Sequence, residues 1–171
     1  LARLQQVYAL IEKYQTQHAD HPVLGKMYFP ELFRVAAMQQ DQAFFNHAPA
    51  DNNDMTPATR NYADRIEWLA NNWPAGIIAH QYTRYLGDLS GGQMIKKVVK
   101  RAYALEDERG VAFYNFDAVP DIPAFKDRYR QAIDNLPIDD TEKQRLVDEA
   151  NLSFRFNIAL FNELDTETKA G

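Results

Sequence analysis

At 171 residues the chain has the size of one domain around one hydrophobic core, and 46% hydrophobic against 25% charged residues excludes an extended disordered protein. The net charge of −5 offers no basic footing for nucleic acid, and the absence of cysteine excludes disulfides, iron–sulfur clusters, thiolate ligands and cysteine nucleophiles. No apolar run approaches bilayer length, so a cytoplasmic protein without a membrane span is expected; Leu1, with neither an initiator methionine nor a signal peptide, reads as a fragment boundary or the end of a disordered leader.

Helical periodicity dominates, and no series of alternating strands is present. The opening stretch sets Leu1, Leu4, Tyr8 and Ile11 on one face and ends near His21-Pro22. A second helix is expected from Pro30, tolerated in a first turn where its missing N–H has no partner to lose, and it carries Leu32, Phe33, Ala36, Ala37 and Phe44. After a polar loop from Asn46 to Met55, Thr56-Pro57 reads as N-cap and first-turn proline of a third helix bearing Tyr62, Ile66 and Leu69. Trp73-Pro74 ends it, because the residue before proline disfavours the α region. The helical pattern resumes over about 75–104. A short aromatic run (Phe113, Tyr114, Phe116) then leads through Pro120 and Pro123 to a helix over about 124–136. Asp139 and Glu142 have the spacing of a capping box for a last helix with Leu146, Val147, Ala150, Phe154, Ile158 and Phe161. The expected fold class is all-α, one domain over residues 1–171.

The segment from His80 to Gln93 holds three glycines, Gly87, Gly91 and Gly92, within six positions of an otherwise helical pattern. Each costs roughly 1 kcal/mol relative to alanine inside a helix, so a compensating reason is required. Gly87 and Gly91 lie one turn apart on one face, which leaves bare backbone for close approach of a flat object and favours a kink. Close packing of another helix, or a helix end, explains such glycines equally simply. Leu89-Ser90-Gly91-Gly92-Gln93 also matches the signature loop of ABC-transporter ATPases. That function needs a G-x-x-x-x-G-K-[ST] phosphate loop and a βαβ pattern, and the chain has neither.

The longer string Tyr82-Thr83-Arg84-Tyr85-Leu86-Gly87-Asp88-Leu89-Ser90-Gly91-Gly92-Gln93 resembles the signature of heme oxygenases, where it forms the kinked distal helix over the heme. The resemblance continues through Tyr28-Phe29-Pro30-Glu31, Phe125-Lys126 and Tyr129-Arg130 to Phe154, Asn157 and Phe161-Asn162-Glu163-Leu164. It implies a single-domain multihelical fold with a glycine-kinked distal helix. It also implies heme as both substrate and cofactor, O2 and external electrons as co-substrates, and biliverdin, carbon monoxide and ferrous iron as products. A non-catalytic heme carrier on the same fold is the alternative. A thiaminase-like helical enzyme is disfavoured because its catalytic cysteine is missing.

By this resemblance Asp88 holds a water that delivers a proton, with Arg84 four residues away orienting it and Tyr82 in the same network. Without the motif, Asp88 and Arg84 read as a surface ion pair. Gly87 and Gly91 lie against the ring, Thr83 contributes to the pocket wall, and Phe154, Asn157 and Phe161 line the pocket; two turns apart on one face, the phenylalanines otherwise read as core. Lys126 and Arg130, four apart on one helical face, correspond to the cations that hold the heme propionates, and a guanidinium is the better grip for a carboxylate.

The family's iron ligand is a neutral imidazole on a proximal helix that falls upstream of Leu1, so the stretch is expected to be N-terminally incomplete. None of His18, His21, His47 and His80 is expected to replace it, and no residue here is assigned to a metal. Lys96, Lys97, Lys100 and Arg101 place four cations within six residues beyond the glycines. They read either as a solvated face or as the dock for a reductase or small acidic redox protein.

Overall fold

The computed structural model describes residues 1–46 and 55–170, the side chains of 167–170 excepted. His47 and most of the expected polar loop lie outside the described residues. Among the described residues seven α-helices run in chain order: α1 (Ala2–Gln17), α2 (Val35–Phe44), α3 (Pro57–Asn72), α4 (Ile77–Gln81), α5 (Gly87–Ala102), α6 (Ile122–Asp134) and α7 (Asp140–Ala170). Among the described residues there is no strand. No described helix is long and apolar enough to cross a membrane.

The core forms where the helical periods converge. Val7, Tyr8 and Ile11 of α1 meet Tyr62, Ile66 and Leu69 of α3, with Ile77, Tyr85 and Leu160 closing the cluster. α1 packs on α2 and α3, and α7 packs along α3 and α4. The α3 start falls where the sequence places it, although the Thr56 hydroxyl bonds to Glu163 and, at 2.9 Å, to Thr59 instead of capping the helix backbone. Trp73, with φ −158° and ψ 74°, ends α3 before Pro74 as expected. Asp139 accepts the Glu142 N–H at 2.8 Å, half of a capping box. The Glu142 carboxylate turns instead to the indole N–H of Trp73.

Two expectations are corrected. Pro30 starts only a single 3-10 turn, Pro30–Leu32, because Phe33 adopts an extended backbone (φ −60°, ψ 133°); the second helix begins at Val35. Its inward face is Met38, Asp41 and Gln42, not the alanines and Phe44. Asp41 is drawn inside because its carboxylate accepts the backbone N–H groups of Ala112 (2.7 Å) and Phe113 (2.8 Å). Part of the expected α7 stripe turns outward in the same way, although Leu146 packs against the core and Ala150 is half-buried. Val147, Phe154, Ile158 and Phe161 are all more than half exposed, whereas Glu149, Ser153 and Asn157 are buried.

Candidate functional site

α4, an i→i+5 π-turn over Tyr82–Leu86, and α5 form one continuous helical run through the glycine segment. The departure from α geometry precedes Gly87, which itself has φ −61° and ψ −49°. π-turns inside helices recur at functional sites, because the extra residue re-aims the side chains around it. A Cβ built on Gly87 or Gly91 meets nothing within 4 Å, so no neighbouring helix requires these glycines for packing. The strip they leave continues along α5 through Met94, Ile95 and Val98, each at least half exposed.

Asp88 points the other way, into the protein. The Tyr8 hydroxyl, from α1 and eighty positions earlier, donates to Asp88 Oδ2. Arg84 Nη2 lies 4.0 Å from the other carboxylate oxygen. Burial pushes the Asp88 carboxyl up to about 6, against the pull of Arg84 and of the Tyr8 hydroxyl. Arg84 is buried as well, and Nε donates to the Tyr8 oxygen at 3.2 Å while Nη1 donates to Asn157 Oδ1 at 2.5 Å. Burial opposes its charge, but Tyr8 and Asp88 outweigh that and hold Arg84 above its ordinary value. Tyr8 is fixed by edge contacts with the rings of Tyr85 (5.4 Å) and Phe113 (5.6 Å).

The network extends along α7. Asn157 Nδ2 donates to the Ser153 carbonyl at 2.9 Å, and the Ser153 hydroxyl lies 2.6 Å from that of Thr83 and 3.0 Å from that of Tyr62. Arg84, Asp88 and Asn157 are thus brought together. Thr83 joins them through Ser153, but Tyr82 is exposed and makes no bond into the cluster. Tyr8, Tyr62 and Ser153 are additional members. Their sequence signal is only that of a core aromatic or a helical serine, since their partners in the cluster lie 70 to 91 positions away.

The remaining candidates lie at the periphery. Lys126 Nζ donates to the Ser90 hydroxyl at 2.9 Å, linking α6 to α5, and Arg130 pairs with Asp127 at 3.0 Å. Both contacts are exposed, which leaves the cations available for an anionic ligand. Phe154 and Phe161 are exposed on α7 on either side of the buried Asn157. In the basic segment, Lys96 and Lys100 both grip Glu108 and hold its carboxyl down to about 2, while Lys97 and Arg101 are exposed. His80 is sealed in the interior with Nε2 on Glu149 at 2.8 Å, so it is closed to an iron ligand. His21 Nδ1 accepts the N–H groups of Val23 (3.2 Å) and Leu24 (3.1 Å), and its ring lies edge-on to His18.

Fold and site together define an all-α protein with a bare, exposed helix face at Gly87 and Gly91 and an inward-facing carboxylate, Asp88, behind it. The heme oxygenase family model matches residues 1–163. The chain is 41% identical over 169 residues to a heme oxygenase of Pyropia yezoensis, covering 98% of this chain and 71% of that protein. It is 44% identical over 160 residues to heme oxygenase 1 of Synechocystis, covering 93% and 66% respectively. The crystal structure of the cyanobacterial Synechocystis heme oxygenase-1 in complex with heme matches with a TM-score of 0.91 at 43% identity, over 99% of this chain and 77% of that one. A heme oxygenase structure from Leptospira interrogans matches with a TM-score of 0.90 at 39% identity, over 95% and 80%. The chain belongs to the heme oxygenase family, whose function is the catalytic degradation of heme.

Proposed function

We propose that the chain opens heme to biliverdin, carbon monoxide and ferrous iron, using O2 and electrons from outside, with the Gly87–Gly91 strip against the ring and Asp88 as the proton-handling group. The observation that carries this is the pairing of an open glycine strip with an inward-facing, largely buried carboxylate on the next residue. The exposed residues suit heme as a flat, apolar dianion: a side-chain-free strip, apolar neighbours on α5, Phe154 and Phe161 on α7, and the cations Lys126 and Arg130.

When bound, heme supplies the iron that activates O2 and the ring that is opened. Gly87 and Gly91 would leave side-chain-free space against the ring, which a side chain would take from the oxygen. Asp88, with a carboxyl near 6, takes and returns a proton close to neutral pH through a water held at its free lone pairs. Arg84 and Tyr8 fix that carboxylate, and Asn157 fixes Arg84. Tyr82 and Thr83 contribute to the pocket wall. Lys126 and Arg130 would hold the propionates and so orient the ring. None of His18, His21 and His80 is assigned as axial ligand.

Electrons enter beside α5, where an acidic redox protein or reductase docks on Lys97 and Arg101. Lys96 and Lys100 are partly neutralised by Glu108 and contribute less. Product analysis after incubating the full-length protein with heme, O2 and a reductant tests the reading. Ring-opened tetrapyrrole and carbon monoxide are expected; intact heme returned in full identifies a carrier instead.

A further inference from the structure

A half-buried ion pair, Arg65–Glu149, with the buried His80 bonded to it, lies outside the network just described, at the entrance to the π-turn. His80 is 0% exposed and donates Nε2–H to Glu149 Oε1 at 2.8 Å. Glu149 is 4% exposed and is gripped by Arg65 through both oxygens, Nε at 2.9 Å to Oε1 and Nη2 to Oε2. Burial works against the Glu149 charge, but the hydrogen bonds from Arg65 and His80 outweigh it and bring the carboxyl down to about 2. Burial likewise holds His80 below its ordinary value despite Glu149. At neutral pH the clamp is therefore a neutral imidazole and a carboxylate whose charge is balanced by Arg65.

This clamp is the first rung of a ladder. Glu149, Ser153 and Asn157 stand four apart on α7, so each turn of that helix offers one polar group on the same face. Each group takes a different part of the distal run: Glu149 takes His80, Ser153 takes Thr83, and Asn157 takes Arg84. The α7 groups of the second and third rungs are a hydroxyl and an amide, whereas the Glu149 carboxylate that takes His80 is also tied back to α3 by a bidentate bond from Arg65. A buried ion pair seldom adds net stability over apolar side chains of the same volume, and its best-attested use is to fix register. Here the pair holds the helical run at His80, two residues before the π-turn over Tyr82–Leu86.

We propose that Glu149 is a positioning residue for the distal carboxylate: by holding His80 and Arg65 it sets the register of α7 against Tyr82–Leu86 and thereby the seat of Arg84 and Asp88. Its consequence for turnover rests on Asp88 being the working carboxylate. The test therefore reads Asp88 directly in heme-free protein, so failure of either idea is told apart from failure of the other.

Carbon-13 NMR of labelled aspartate, assigned with Asp88→Asn, follows the Asp88 titration near 6 in the wild type. Proton NMR follows exchange of the Tyr8 hydroxyl that bonds to it. Glu149→Ala is expected to admit water, moving the Asp88 titration down by about half a pH unit or more and speeding Tyr8 exchange about tenfold. Glu149→Gln keeps an acceptor for both partners and is expected to restore both signals to near wild type. If Glu149→Ala melts at lower temperature but keeps the wild-type Asp88 titration and Tyr8 exchange, Glu149 is a stability element only and the proposal is overturned. Should Glu149→Ala not fold, Arg65→Met removes only the outer arm of the clamp and is judged by the same two signals, unchanged values again overturning the proposal.

Discussion

Alanine at Gly87 and Gly91 is expected to stabilise the heme-free protein while weakening its hold on heme. Gly87 has ordinary helical dihedrals, Gly91 lies within α5, and the added Cβ atoms meet nothing within 4 Å, so neither substitution strains the fold. Each replacement recovers up to about 1 kcal/mol of helix propensity, and the double variant up to about 2 kcal/mol. In a chain of this size each kcal/mol moves Tm by roughly 2–4 °C, so the double variant is expected to melt up to about 8 °C higher. Gly76→Ala is the control, because its Cβ would come within 2.6 Å of Leu69 Cδ2 and 2.7 Å of Trp73 Cε3, and a lower Tm is expected. Thermal unfolding by circular dichroism reads the first effect and heme titration by visible absorbance the second. A lower Tm for the double variant would show that the glycines serve packing. Wild-type heme affinity and product yield in that variant would show that the strip is not the substrate face.

Asp88 gives a pH-dependent counterpart. Its carboxyl titrates at about 6 when folded against 3.8 ordinarily, so the stability contributed by its proton is complete below about 3.8 and lost as pH rises through 6. At about 1.4 kcal/mol per pH unit of displacement, Asp88→Asn is expected to exceed the wild type by up to about 3 kcal/mol near pH 7.5 and to lose that advantage in acid, which chemical denaturation across pH reads directly. Arg130→Leu, and less strongly Lys126→Ala, is expected to let the ring rotate and to yield mixed biliverdin isomers; chromatography showing a single isomer from the double variant would assign the propionates to other cations. Lys97→Glu with Arg101→Glu is expected to slow reduction by a protein donor, and wild-type turnover with that donor to fall as salt rises, while a small neutral reductant is unaffected. Equal slowing with both reductants would place these charges in support of the heme site instead of a docking face.

Much of the helical framework is legible in the chain because it depends on local signals. Proline and the residue before it bound α3, the 3.6 period selects Tyr62, Ile66 and Leu69, and Asp139 caps α7. The glycine strip is legible for the same reason, since absent side chains at i and i+4 bare one face whatever surrounds it. The interior faces of α2 and α7 escape such a reading in part because polar side chains share them with Met38 and Leu160. Asp41 is buried by the backbone amides it accepts, and Glu149, Ser153 and Asn157 by the distal run they hold, so the apolar residues beside them turn outward. Tyr8 escapes it too. On α1 it has the pattern of a core residue, and only the packing of α1 beside the π-turn brings its hydroxyl to Asp88.

A comparison of wild type and Asp88→Ala in the full-length protein, loaded with heme and supplied with O2 and a reductant, tests the division of labour between strip and carboxylate most directly. Heme binding and product are measured in the same samples. Both proteins are expected to bind heme with similar affinity, with ring-opened tetrapyrrole and carbon monoxide formed in good yield only by the wild type. Equal product yields from the two proteins, or intact heme returned by the wild type, would contradict the account.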